Sequence, residues 1–398
     1  MTLRWFLSSR IRRTTDACKH VRRLFNAQRD ILSPPAVAAL SESLATTEAS
    51  LKAGVSDDEA LKQTAELEKT AEKWIKPYPF AEWRENIEVF LVAIVVAMGV
   101  RTFFLQPFKI PTGSMQPTLY GVTVEDLHDK PDVKIPGPFT RIWDAVVYGE
   151  IYHEVIAQQD CHLISVGAEG PLGPLKHPVP FINKQDLFIE NADGTRQAIP
   201  IWFGPDELQN WADTGVFLRG RFRQGEPILR FKETTGDHLF VDRFTYNFRK
   251  PERGEIIVFK TRGIQEIKDQ SQFYIKRLIG LPGETISIGT DQHARINGVP
   301  LDASTPHFEN VYGFVPGTPP MKDHYSGHIL LDMPGSLLQR PTDTIHVDPG
   351  NYAVFGDNTM NSLDSRFWRE VPQQNVIGKS FFVYWPISPR FGWGNTLK

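Results

Sequence analysis

The sequence predicts a mainly β protein: an antiparallel β-sheet domain carrying insertions, preceded by one membrane-crossing helix and a helical or disordered N-terminal region. Three observations carry this reading. The runs Gly254–Lys260 (GEIIVFK), Thr285–Ile288 (TISI) and Tyr352–Phe355 (YAVF) are short, rich in β-branched and aromatic residues, and flanked by Gly. Asn297-Gly298 within ARINGVPL and Asp193-Gly194 are hairpin signals, because these pairs tolerate the positive φ that tight hairpin turns require. No helical pattern of about 10–15 residues alternates with the strands, which disfavours a parallel sheet.

Composition bounds the function. The 398 residues leave room for two or three compact units. Lys and Arg number 44 against 47 Asp and Glu, a net charge of −3, which argues against a chain whose main partner is nucleic acid. Cys18 and Cys161 are the two cysteines, too few for a disulfide framework or a multi-cysteine zinc site.

Taken in order, residues 1–86 read as a cytoplasmic region. The first thirty carry Arg4, Arg10, Arg12, Arg13, Lys19, Arg22, Arg23 and Arg29 against Asp16 and Asp30, the pattern of a solvated basic tail. Ser33-Pro34-Pro35 breaks it. Ser56-Asp57-Asp58-Glu59 has capping-box spacing and opens a polar helix towards Ile75, which Pro77 and Pro79 end. Residues 87–105, IEVFLVAIVVAMGVRTFFL, then form the transmembrane helix; as a helix they span roughly 28 Å, close to the ~30 Å of a hydrocarbon core. Lys73, Lys76 and Arg84 precede the span and Lys109 alone follows it closely, so the N-terminus is expected in the cytoplasm and residues 106–398 outside. Within that outer part, 121–235 and 301–345 are less regular and read as insertions.

Three segments hold chemistry-bearing residues. In QPFKIPTGSMQPTL (106–119), Pro111 and Gly113 place Ser114 on a tight turn about nine residues from the bilayer. In YIKRLIGLPGE (274–284), Lys276 and Arg277 alternate in a strand and point to opposite faces, so one must meet the packed side unless both faces are exposed. A buried lysine disfavours its own charge and becomes a general base at neutral pH. In GDNTMNSLDSRFW (356–368), Asp364 and Arg366 can pair to fix a loop, and Ser362 can offer its hydroxyl to the base. Taken singly, each segment reads as an ordinary loop or edge strand.

Together with GDHLFVDRFTY (236–246) and RGEIIVFK (253–260), these blocks closely resemble type I signal peptidase, the Ser-Lys leader peptidase family, in the family's order and directly after a membrane span. The resemblance implies Ser114 as nucleophile and Lys276 as general base. It puts the Ser114 N–H and the Thr112 hydroxyl in an oxyanion hole, and makes Ser362 a residue that orients the lysine. Asp357, Asp364 and Arg366 would fix the loop. Phe108, Ile110, Met115, Leu119, Tyr274 and Ile275 would line pockets for the small residues of an Ala-x-Ala-type cleavage site. The implied activity is removal of signal peptides from exported preproteins through an acyl-enzyme, in a bacterial-type inner membrane. The implied partners are preprotein signal peptides and membrane lipid, with the secretion translocon or the membrane surface as candidates for what the 121–235 insertion docks to. No metal, organic cofactor or nucleic acid is implied. One departure stands out: Thr359-Met360 occupies the place of the family's Arg-Asp, which puts a charged contact in doubt.

Rival readings fare less well. A Ser-His-Asp hydrolase lacks a GxSxG elbow around Ser114, although His238 and His346 are available. His324 and His328 are spaced for one helix face, but Gly327 intervenes and they read as solvated loop histidines. A catalytically silent signal-peptide-binding relative would not need Ser114, Lys276 and Ser362 together, and repressor-type Ser-Lys autoproteases lack a span.

Overall fold

A computed structural model describes residues 8–76, 80–165, 172–179, 182–203, 220–313 and 327–393. The chain divides at Val95/Val96 into two compact units.

The first unit is helical: α1 (Ser9–Gln28), α2 (Pro34–Ala53) and α3 (Asp57–Trp74). The basic stretch is therefore not a solvated tail. In α1, Ile11, Thr14, Cys18, Val21, Phe25 and Gln28 recur every three or four residues and are buried. Cys18, Val21 and Phe25 join Leu40, Leu44, Leu67 and Ala71 in one core, while Arg12, Arg13, Lys19 and Arg23 occupy the exposed faces. Pro34 stands at the start of α2, where its missing N–H has no intrahelical partner to lose. Ser56 caps α3 as expected, its hydroxyl accepting from the Glu59 N–H at 3.3 Å. Pro77 and Pro79 lie outside the described residues.

The apolar helix α4 runs over Ala81–Phe103, starting earlier and ending sooner than the expected 87–105. An Arg84–Glu88 pair at i,i+4 supports the added first turns. At the other end, Leu105 opens a strand by pairing with Asp242. Over Trp83–Phe103 the mean hydropathy is 1.8 and none of the window is buried.

The second unit is antiparallel β. Its main sheet holds β1 (Leu105–Lys109), β2 (His238–Asp242), β3 (Ile256–Lys260), β4 (Phe273–Gly280), β5 (Asn351–Phe355), β6 (Val371–Pro372) and β7 (Val376–Trp385), in the order β1-β2-β7-β3-β4-β5-β6. Strand β4 is interior, with Lys276 opposite Ile257 and Arg277 opposite both Ile256 and Phe355. Tyr274 and Leu278 share one face with the core of Ile257, Phe259, Val354 and Trp368. Ile275 belongs to the other face, with Ile110, Met115, Leu119, Leu239 and Val258. A second sheet joins Thr285–Ile288, Ala294–Ile296, Val299–Pro300 and Ile345–His346, and its Asn297-Gly298 turn has φ of 51° and 86°.

The two expected insertions differ. Segment 121–235 is a β subdomain with its own core around Leu187, Ile189, Phe222, Leu229 and Phe231. One of its sheets has three strands (Thr123–Asp126, Glu150–Ile156, Pro227–Thr234) and the other five, including the Asp193-Gly194 hairpin of Ile182–Asn191 and Arg196–Trp202. Its prolines suggest irregularity in the sequence, yet they sit where a strand tolerates them: Pro178 and Pro200 on edge strands, Pro227 at a strand start. The chain leaves and re-enters the main sheet at one point, where the Asp237 N–H donates to the Tyr120 carbonyl at 2.8 Å. Gly236 is required there, since a Cβ would lie 1.8 Å from the Ile110 carbonyl oxygen. Segment 301–345, by contrast, contributes Leu301, Phe308, Val311, Tyr312 and Leu338 to a core shared with Ile279, Ile286 and Phe355.

Candidate active site

Ser114 sits in a single 3-10 turn, Gly113–Met115, closed by the Gln116 N–H donating to the Gly113 carbonyl. Met115 within this turn, with Ile110 before it and Leu119 after it, is buried in the core and anchors it. Thr112 precedes it in extended conformation and makes no capping bond, which leaves its exposed hydroxyl free of the turn.

Lys276 reaches the turn from β4. Its Nζ donates to Ser114 Oγ at 2.7 Å and to the Ile275 carbonyl at 3.1 Å. The lysine is 4% exposed, and among the described residues no carboxylate lies within ion-pair distance of it. Burial strips water from the ammonium and pulls its pKa down to about 8, although the more distant Asp364 and Asp357 charges oppose the shift. The Tyr274 ring lies 5.4 Å from the amine.

Arg277 is equally buried and quite differently equipped. The expectation that one of the two cations faces the packed side undercounts, because β4 is covered on both faces. Arg277 makes a two-pronged pair with Asp357, Nε to Oδ1 at 2.8 Å and Nη2 to Oδ2 at 2.6 Å, and donates to the carbonyls of Gly254 and His307. Asp357 also accepts from the Thr118 hydroxyl at 2.5 Å, which ties the segment after Ser114 to the 356–362 loop. Neither Arg277 nor Thr118 stands out as a site residue in the sequence; their signal is the cation beside Lys276 on an interior strand.

The loop closes on Ser114 directly. Asn358 donates from its backbone to the Ser114 carbonyl at 3.1 Å and from Nδ2 to the Gly113 carbonyl at 3.0 Å. Gly356 makes this approach possible: a Cβ there would lie 2.1 Å from Ser362 Oγ and 2.5 Å from the Ser114 carbonyl oxygen. Asp364 and Arg366 form the expected pair, 2.8 and 2.9 Å, fully buried, and Asp364 also accepts from the Gly356 N–H. Burial works against the Asp364 charge, but the Arg366 guanidinium and these hydrogen bonds hold its pKa below the ordinary carboxylate value.

The Thr359-Met360 departure is resolved locally. Thr359 Oγ1 accepts from Arg366 Nη1 at 2.9 Å and from the Ile329 N–H at 2.9 Å, so its hydroxyl ties the loop to Arg366 and to Ile329, while Met360 is exposed. Ser362 is buried beside Gly356, close enough to Asp364 to favour its charge, and its hydroxyl makes no hydrogen bond to Lys276. Of the six pocket candidates, Phe108, Tyr274 and Ile275 keep accessible surface and Ile110, Met115 and Leu119 are buried; Phe108 and Ile275 pack against that buried trio, whereas Tyr274 belongs to the other face of β4.

Among the described residues, no histidine enters the site. His238 Nδ1 contacts the Gly236 carbonyl, His346 contacts Thr285, and neither bonds Ser114. His328 is not a solvated loop residue: it is fully buried, bonded to the Tyr312 hydroxyl at 2.7 Å, and desolvation by burial lowers its pKa to about 3. His324 lies outside the described residues.

Comparison with known proteins gives the family. Residues 83–127 and 232–385 match the family described as signal peptidase, peptidase S26; the gap between them removes most of the 121–235 subdomain, whereas 301–345 falls inside the match. Signal peptidase I of Leptolyngbya laminosa is 33% identical over 174 residues, covering 42% of this chain and 69% of that protein. Probable signal peptidase I-2 of a Synechocystis species is 32% identical over 171 residues, 42% and 61% of the two chains. A crystal structure of a signal peptidase I from Enterococcus faecalis V583 matches 33% of this chain and 97% of its own at 31% identity, with a TM-score of 0.23. The class these matches define is that of the serine endopeptidases, hydrolases of peptide bonds. Within that class, the chain belongs to the signal peptidase family, peptidase S26.

Proposed function

We propose that this protein is a membrane-anchored endopeptidase that removes N-terminal signal peptides from exported preproteins by a Ser-Lys mechanism. The observation that carries the proposal is the 2.7 Å contact between Ser114 Oγ and a buried amine with no carboxylate partner. Once neutral, that amine accepts the hydroxyl proton as Ser114 Oγ attacks the scissile carbonyl. The oxyanion is stabilised by the Ser114 N–H and the Thr112 hydroxyl. The Lys276 ammonium then protonates the leaving amine, and the regenerated amine activates the water that hydrolyses the acyl-enzyme. The Arg277–Asp357 and Arg366–Asp364 pairs keep the 356–362 loop clamped on the nucleophile turn, and Ser362 stands in reserve to orient the lysine when substrate is bound. Phe108 and Ile275 over Ile110, Met115 and Leu119, with Tyr274 beside the Lys276 amine, line pockets that admit small side chains and exclude large ones.

In the same reading, Ala81–Phe103 crosses the inner membrane once, with the helical first unit in the cytoplasm and the β unit on the far side, where preproteins emerge from the translocon. The test is cleavage of a preprotein carrying an Ala-x-Ala site by the detergent-solubilised protein and its Ser114→Ala and Lys276→Ala variants. Cleavage at that site by wild type, lost in both folded variants, is the expected result. Near-normal activity in Lys276→Ala would place the base elsewhere. Binding without cleavage by wild type would make the protein a signal-peptide-binding relative.

A further inference from the structure

The subdomain outside the family match carries an unusual helix. Residues 138–148 are helical in two joined stretches, Pro138–Trp143 and Asp144–Tyr148, and none of their side chains is buried. Phe139, Ile142, Trp143 and Val146 recur at i, i+3, i+4 and i+7, the spacing of a single apolar stripe. Such a stripe ordinarily faces a core. Here the four residues are 88%, 64%, 61% and 67% exposed, and Tyr148 follows at the helix end.

The helix is nevertheless fixed in place. Arg141 Nη2 donates to the Tyr152 carbonyl, the Trp385 indole N–H donates to the Val146 carbonyl at 2.7 Å, and the Ile387 N–H donates to the Val147 carbonyl at 2.9 Å. Its anchor is the end of β7, and β7 pairs with β2, which pairs with β1, the strand that continues α4. Two strand spacings make about 10 Å across the sheet, and the offset from Leu105 to the level of Trp385 is about 13 Å along it. Aromatic residues lie on the intervening strands, the half-buried Phe240 ring 4.5 Å from Tyr384 and tilted to it, and Phe382 edge-on to the exposed Phe391 and Trp393 beyond β7. The helix that carries the exposed stripe is thus tethered, through the end of β7, to the same sheet as the strand that continues the apolar helix.

We propose that helix 138–148 is a second membrane contact, lying flat in the headgroup–acyl boundary of the bilayer that α4 crosses, with Phe139, Ile142, Trp143 and Val146 bedded in lipid. A short helix with one apolar face and aromatic side chains suits that boundary, and a first tether close by raises the local concentration of membrane around it. Its role is to hold the β unit at a fixed height and tilt, so that Ser114 meets a signal peptide as it leaves the bilayer. The inference rests on the membrane-anchored reading above.

The test uses the full chain in vesicles, with single cysteines carrying an environment-sensitive dye at Phe139→Cys and Val146→Cys, and controls at Thr140→Cys and Ala192→Cys. The native Cys18 and Cys161 are buried and spared from labelling. The expected result is quenching of the dyes at 139 and 146 by brominated lipid, several times stronger than at 140 and 192, with the reverse order for aqueous iodide. If the protein floats with the vesicles but all four dyes are open to iodide, the proposal fails and the anchored reading stands. Shielding from iodide without lipid quenching would put a protein partner on the stripe and overturn the proposal too. Failure to float at all would overturn the anchored reading, and this proposal with it.

Discussion

Lys276 and Arg277 are neighbours on an interior strand, equally cut off from water, and the surrounding residues treat them oppositely. Arg277 meets Asp357 through two hydrogen bonds and spends its other donors on carbonyls. Lys276 meets a hydroxyl and one carbonyl. A buried cation that is paired keeps its charge and serves the architecture; one left unpaired loses its proton readily and becomes reactive. Arg366 repeats the first treatment against Asp364, so the site has two satisfied cations framing an unsatisfied one.

Substitutions that remove each charge alone sharpen this contrast. Lys276→Met should abolish cleavage, a fall of about 10^4-fold or more, while thermal stability holds or rises, because a desolvated amine is replaced by an apolar chain of similar length. Ser114→Ala should match it in activity. A thermal midpoint that collapses in Lys276→Met would show that the lysine serves the architecture after all. Arg277→Met should do the opposite, destabilising the β unit by about 3–5 kcal/mol in denaturant unfolding, since Asp357 stays buried with its guanidinium partner gone. Thr112→Val, which keeps the shape and removes the hydroxyl, should lower kcat by about 10^2–10^3-fold with little change in unfolding; an unchanged kcat would remove Thr112 from the oxyanion hole. The smallest effect belongs to Thr359→Val, expected to cost about 1–3 kcal/mol because the Ile329 N–H and one Arg366 N–H lose their shared acceptor.

The two halves of the site were unequally legible in the sequence. Ser114 and Lys276 are 162 positions apart; singly their blocks read as an ordinary loop and an edge strand, and it is the resemblance of the ordered blocks to type I signal peptidase that sets them side by side. The Asp364–Arg366 pair is visible because it is local. Arg277–Asp357 is not, since nothing in the strand pattern says that β4 is covered on both faces; that follows from its place between β3 and β5. The 121–235 segment misleads for a related reason. Proline is read as a strand breaker, but on edge strands its missing N–H costs no ladder bond. The basic N-terminal stretch misleads through charge density, which masks an apolar stripe of Ile11, Cys18, Val21 and Phe25 that becomes a core only once α2 and α3 are present.

The sign of the Lys276 shift gives a stability consequence as well. Its folded pKa, near 8, lies below the ~10.4 of an unfolded lysine, so between these values the unfolded chain binds more protons and stability rises with pH through that window.

The central claim is that burial without a carboxylate partner makes Lys276 a base, and the pH dependence of kcat/KM for a short peptide substrate tests it most directly. The amine is active when neutral, so kcat/KM should climb tenfold per pH unit on the acid side and level off above about 8. An acid limb near the ordinary histidine pKa of ~6.5, or a profile flat from pH 6 to about 9, would contradict it.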